Sequence, residues 1–159
     1  MFRKARFFLL AIGLSTALIS CRDSNTLVDT NQEIMGRNWG YDNKIRVPVQ
    51  IQDEQKSYNI YLNLRHSAEY KYSNIFVLLH IKGPDGKLIT ERKEFKLAEP
   101  NGEWVGKGSG NMYSYQLLFK KGYRFLEKGT YSIEIEQNMR DNPLREITDI
   151  GLRVENASE

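Results

Sequence analysis

Two histidines, His66 and His80, and a single cysteine, Cys21, are the first residues to test for chemistry. A zinc site of the usual kind takes three or four ligands, and one cysteine supplies neither a thiolate cluster nor an internal disulfide. His80 falls in an apolar run and reads as a hydrogen-bonded core histidine, and neither histidine sits in a motif that ties it to a serine and an acid. Glu134 and Glu136 are two apart in an alternating stretch, so both point to one face of a strand. Glycosidase carboxylates flank a sugar from separate elements, about 5–10 Å apart, so this pair reads as a solvated strand face. Gly102 to Gly110 contains Gly106-Lys107, which invites comparison with a phosphate loop. A Walker loop puts four residues between its glycines and a hydroxyl after the lysine; here the spacing is shorter and Gly108 follows Lys107. The segment reads as a structural loop. No catalytic residue, metal or cofactor is expected.

The tyrosines are more informative. Tyr61 lies between Asn59 and Asn63 on the polar side of an alternating stretch, and Tyr70 and Tyr72 flank Lys71 in a polar loop. Exposed tyrosines beside amides and cations offer flat contact area at little entropic cost. Tyr61, Tyr70 and Tyr72 form the candidate binding patch, with protein the expected ligand and ordinary cross-strand packing the alternative.

Cys21 takes its meaning from what precedes it. Arg3, Lys4 and Arg6 form a basic start, and Phe7 to Ile19 is uncharged. That is a secretory signal pattern, too short for a membrane-spanning helix, which needs about 20 apolar residues. The run ends Leu18-Ile19-Ser20-Cys21 and resembles the lipobox of bacterial lipoproteins, in which the cysteine is acylated and the peptide is cut before it. Residues 1–20 are therefore expected to be a signal peptide, Cys21 the lipid attachment point, and 21–38 a lipidated cysteine followed by a polar tether. The chain has 23 Lys+Arg and 20 Asp+Glu. The excess is Arg3, Lys4 and Arg6, so the exported part is neutral and carries no nucleic-acid footprint.

The elements that would position these residues follow from period-2 patterning. Val47, Val49 and Ile51 alternate with Arg46, Pro48 and Gln50, the proline marking an edge strand. Tyr58 to Arg65 alternates, and Ile75 to Ile81 is apolar on both faces, as a central or doubly covered strand would be. Gly83-Pro84-Asp85-Gly86 is a turn leading to Leu88–Leu97, with Ile89, Phe95 and Leu97 inward. Met112–Phe119, Thr130–Asn138 and Ile147–Val154 resume the alternation, and Met139–Glu146 is the one candidate for a short helix. About seven or eight short strands predict an all-β, single antiparallel sandwich over 39–155, immunoglobulin-like or jelly-roll-like, with 156–159 as a tail.

Five stretches form a recognisable set: Ser57 to Arg65, Tyr70 to Ile75, Gly83 to Lys87, Gly102 to Gly108 and Tyr131 to Arg140. With the closing Asp149 to Glu155 and the lipobox, the chain resembles the GldH family of gliding-motility lipoproteins. The resemblance implies a non-enzymatic cell-envelope lipoprotein required for gliding, acting by protein contact with the gliding and type IX secretion machinery. It implies attachment to a membrane through Cys21, the outer membrane favoured, with the periplasmic and surface faces both open. It transfers no catalytic residue and no cofactor. Two alternatives stay open: a module binding envelope polysaccharide through the tyrosines, and an envelope hydrolase.

Overall fold

The computed structural model describes residues 25–157. The expected signal peptide and Cys21 lie outside the described residues. Eleven strands run in chain order: β1 (Thr26–Glu33), β2 (Asn38–Trp39), β3 (Ile45–Ile51), β4 (Tyr58–Ser67), β5 (Asn74–Lys82), β6 (Leu88–Lys96), β7 (Lys107–Ser109), β8 (Met112–Tyr123), β9 (Gly129–Gln137), β10 (Leu144–Arg145) and β11 (Ile147–Asn156). A five-stranded sheet, β1-β11-β4-β8-β7, faces a four-stranded sheet, β3-β9-β5-β6, and all pairings are antiparallel. The molecule is an all-β sandwich.

Alternation builds the interior. Val47, Val49, Ile133, Ile135, Val77 and Leu79 from one sheet meet Ile60, Leu62, Leu64, Ile150 and Leu152 from the other, all buried. Pro48 sits on β3, which among the described residues pairs only with β9, so the missing N–H costs no ladder bond on its open side. At the opposite edge of that sheet, β6 turns charge inward. Lys93 lies beside Val77 and donates to the carbonyls of Leu118 and Phe119 on β8, while Lys120 pairs with Glu91. Beyond β7 the outer edge of β8 has no strand partner among the described residues, and its register against β4 slips at Tyr58/Ile60 and again at Ile60/Tyr61. Inward lysine and bulges are how natural sheets discourage edge-to-edge pairing.

Four expectations change. Residues 26–33, read as tether, form β1, and its register with β11 places Asp29 opposite Arg153 and Asn31 opposite Gly151. β1 is a sheet edge with little buried surface, so its sequence carries no clean alternation. Asn156 belongs to β11, and Ala157 donates its backbone N–H to Ser57, so the C-terminal stretch is bound at least that far. Met139–Glu146 forms no helix: Asn142-Pro143 breaks it, and Leu144-Arg145 pairs with Asn38-Trp39, burying Leu144 against the core. Ile89 faces inward opposite Ile81 yet is 40% exposed, because it sits at the corner of an edge strand.

Two ends are thereby defined. Asn25, the loop 52–57, the turn 83–87 and the segment 124–128 lie at one end. The other holds residues 34–44, 68–73, 97–106 and 138–146.

Candidate functional site

The outer face of the five-stranded sheet carries an open groove of about 670 Å³. Strand register explains its floor. Asn31, Gly151, Asn63 and Gln116 lie in one row across β1, β11, β4 and β8. Gly151 leaves that row without a side chain, and a Cβ there would stand 1.9 Å from the Thr30 carbonyl oxygen. Over this gap Asn63 Nδ2 reaches past β11 and donates to Asp29 on β1 at 2.8 Å, and Gln116 Nε2 lies 3.4 Å from Asn63 Oδ1. The next row is Glu33, Asp149, Arg65, Ser114 and Lys107, in which Arg65 donates to Ser114 Oγ at 3.2 Å and pairs with Asp149 at 3.5 Å.

The acids of the groove are matched by guanidinium groups. Arg153 binds Glu155 and Asp29, at 2.7 and 2.8 Å, and these two carboxylates raise its pKa above the ordinary arginine value. Asp29 and Asp149 are therefore anchored in ion pairs, and His66 points away to the inner side of β4, next to Arg65 but on the opposite face. The arrangement presents hydrogen-bond donors and acceptors in rows. Among the described residues no group of three or more His, Cys, Asp and Glu side chains could hold a metal.

A hydrogen-bonded wall borders the groove. Its Val105, Gly106 and Lys107 belong to the glycine-rich segment, which is a structural loop with a short strand. Val105 N–H binds the Leu97 carbonyl at 3.0 Å, Ala98 and Trp104 bridge, and a Cβ on Gly106 would lie 2.5 Å from the Tyr115 ring. Behind this wall stands an aromatic cluster centred on His66, fully buried. Its ring lies 4.5 Å from Trp104, 5.0 Å from Tyr70 and 5.2 Å from Tyr115. Nδ1 is 2.7 Å from the Ser67 carbonyl and Nε2 is 3.1 Å from the Tyr115 hydroxyl, which donates to the Leu97 carbonyl at 2.9 Å. Burial lowers the His66 pKa, and burial pushes the Tyr115 hydroxyl up to about 12. In the neutral form with Nδ1–H donating to the Ser67 carbonyl, Nε2 is an acceptor, so the single Tyr115 hydroxyl proton lies between two acceptors, His66 Nε2 and the Leu97 carbonyl.

The sequence-chosen residues do not assemble as expected. Tyr70 is buried, its hydroxyl donating to the Asn74 carbonyl, so it offers no contact surface. Tyr72 packs edge-on against it at 5.9 Å, with Lys71 over its ring. Tyr61 is on the outer face of β4, donating to Glu155 at 3.0 Å and sitting about 20 Å along the strand from its far end. The three tyrosines form no common platform. His80 is likewise not a core residue: it sits on the outer face of β5 between Thr90 and Glu136, at 2.9 and 3.1 Å. The buried histidine is His66. Glu134 and Glu136 share a solvated face, as expected, paired with Arg46 at 2.8 Å and Lys44 at 2.7 Å. The groove itself escaped sequence reading; its one visible trace is the glycine that interrupts Ile147–Val154.

Fold and site define a β-sandwich domain with a polar groove on one sheet and a braced loop beside it. Residues 26–154 match the family described as GldH lipoprotein. A gliding motility lipoprotein GldH homolog of Christiangramia forsetii is 34% identical over 145 residues, covering 87% of this chain and 88% of that protein. The gliding motility lipoprotein GldH of Flavobacterium johnsoniae is 30% identical over 145 residues, covering 87% and 89%. The chain belongs to the GldH lipoprotein family. Membership makes it a lipid-anchored protein of the cell envelope with a role in gliding, outside the known enzyme families. Among solved structures, the infectious bursal disease virus VP2 subviral particle is similar at 13% identity and a TM-score of 0.34 over 94% of this chain and 38% of that one.

Proposed function

We propose that this chain is a non-enzymatic docking component of the gliding apparatus, held to the outer membrane by lipid on Cys21 and supporting the gliding and type IX secretion machinery by protein contact. The contact surface is the groove lined by Asn31, Asn63, Arg65 and Gln116. The observation that carries this reading is the groove's construction: amide and guanidinium groups in register, acids neutralised in place, and a loop wall braced from behind by Tyr115 and Trp104. Such a surface recognises a polar partner by hydrogen bonding, with little reorganisation on binding. The lipid keeps the domain near its partners and raises their effective concentration.

Two experiments test it. Cys21→Ala should leave a folded domain that loses membrane fractionation and gliding; normal gliding at normal abundance would remove the anchor from the mechanism. A photo-crosslinker in place of Gln116 should give a specific adduct with a machinery protein in gliding cells. Adducts confined to glycan, with saturable glycan binding lost on Asn63→Ala, would favour the polysaccharide reading instead, for which the amide row is the supporting feature.

A further inference from the structure

The chain enters the domain at one end of the sandwich, and that end carries exposed leucines. Asn25 accepts the backbone N–H of Asn156 at 2.8 Å; Asn156 lies opposite Tyr58, and Tyr58 lies opposite Tyr123. Phe125 packs against both tyrosines, with ring centroids 5.4 and 4.9 Å away. The next residue, Leu126, is 78% exposed. On the neighbouring sheet, Pro84 sits against Gly129, and the turn it begins delivers Leu88, 61% exposed. Leu126 follows β8, three strand spacings or about 15 Å from β1, and Leu88 opens β6 of the facing sheet, three strand spacings along from β3 and one sheet spacing of about 10 Å across.

Between Cys21 and Asn25 lie three residues, Arg22 to Ser24. The four Cα–Cα steps from Cys21 to Asn25 span at most about 14 Å. A lipid on Cys21 thus holds this end within touching distance of the bilayer. Across 52–57, 83–88 and 124–128 acids and bases are equal in number, so nothing there repels a membrane or selects an anionic one.

We propose that the end bearing Leu126 and Leu88 rests on the lipid bilayer, with both leucines inserted among the headgroups and upper acyl chains. This rests on lipidation at Cys21. The opposite end, with Met35 89% exposed, then points away from the membrane. Inserted leucines gain transfer free energy that the acyl anchor does not supply, and they fix the tilt of the domain.

Tryptophan quenching tests the orientation. Trp39 and Trp104, the two native tryptophans, both belong to the far end. β4, which spans the molecule between the ends, is 10 residues long, about 33 Å. The full lipidated protein is reconstituted into phosphatidylcholine vesicles carrying brominated acyl chains, with and without phosphatidylglycerol, and flotation is scored first. Leu126→Trp and Leu88→Trp should each lose about half of the added emission, equally in both lipid mixtures, while wild type and Met35→Trp should lose none. Floating protein without quenching at position 126 or 88, with quenching at position 35, or with quenching only when phosphatidylglycerol is present would overturn the proposal. Failure to float would overturn the anchor as well as the orientation.

Discussion

The two ends of the sandwich use tyrosines alike and buried polar groups differently. At the end where the chain enters, Tyr58 and Tyr123 pack edge to face on Phe125 and Tyr131 lies tilted against it, and two of their hydroxyls tie loops, Tyr58 to the Asp53 carbonyl and Tyr131 to the Glu127 carbonyl. At the far end, Tyr70 and Tyr115 do the same for Asn74 and Leu97, but around them His66, Ser67 and Gln137 are wholly buried. Gln137 donates to the Asp141 carbonyl and accepts from the Met139 N–H, and Ser67 donates to Glu146 at 2.6 Å, which holds that carboxyl below its usual range. Buried polar side chains are costly unless satisfied, and when satisfied they specify one backbone conformation. The far end is therefore built for loop geometry, while the near end rests on aromatic packing and presents two exposed leucines among charged residues.

Equal truncations at the two ends should make the contrast measurable. Tyr115→Ala and Phe125→Ala should each lower stability by about 3–5 kcal/mol, read from urea denaturation. Only Tyr115→Ala should also abolish the crosslink at Gln116, since it removes the brace beneath Gly106. Loss of that crosslink in both variants at matched folded fraction would erase the distinction. Gly106→Ala drives a methyl into the Tyr115 ring and should cost about 1–3 kcal/mol, with loosened hydrogen exchange over 98–106. Tyr115→Phe keeps the ring and loses the bond to Leu97; it should cost about 1 kcal/mol.

A pH titration isolates the far end by another route. Burial puts the folded His66 pKa below the free value of 6.5. As pH falls the unfolded chain takes up that proton first, so stability fully present above pH 6.5 declines as pH drops toward the folded value. His66→Phe should flatten this part of the profile; an unchanged slope would assign the effect elsewhere. The smallest expected effect belongs to Leu126→Ser, which should alter stability by less than about 0.5 kcal/mol because the side chain is already in solvent.

How far the sequence could be read depended on how local each signal was. Pro48 marked an edge strand, and Glu134 and Glu136 shared a face, because side-chain direction alternates along any strand. β1 stayed hidden because an edge strand with one open face needs no apolar periodicity. His80, expected in the core, lies on an outer face, and the buried histidine is His66. His80 sits among apolar residues in sequence, yet His66 occupies the inward position of its strand at the junction with the loops.

The amino-acid sequence by itself determined the strand periodicity, the sandwich class and the family, all of which rest on patterns within short windows or on residue identity along the chain. Only the tertiary structure decided that Tyr61 stands apart from Tyr70 and Tyr72, that Gly151 lets β1 approach closely while Asn63 reaches across β11 to Asp29, and which loops share an end. Those facts depend on strand order and register. Asp29 and Arg153 meet across 124 positions of chain, and no period along the sequence records that meeting.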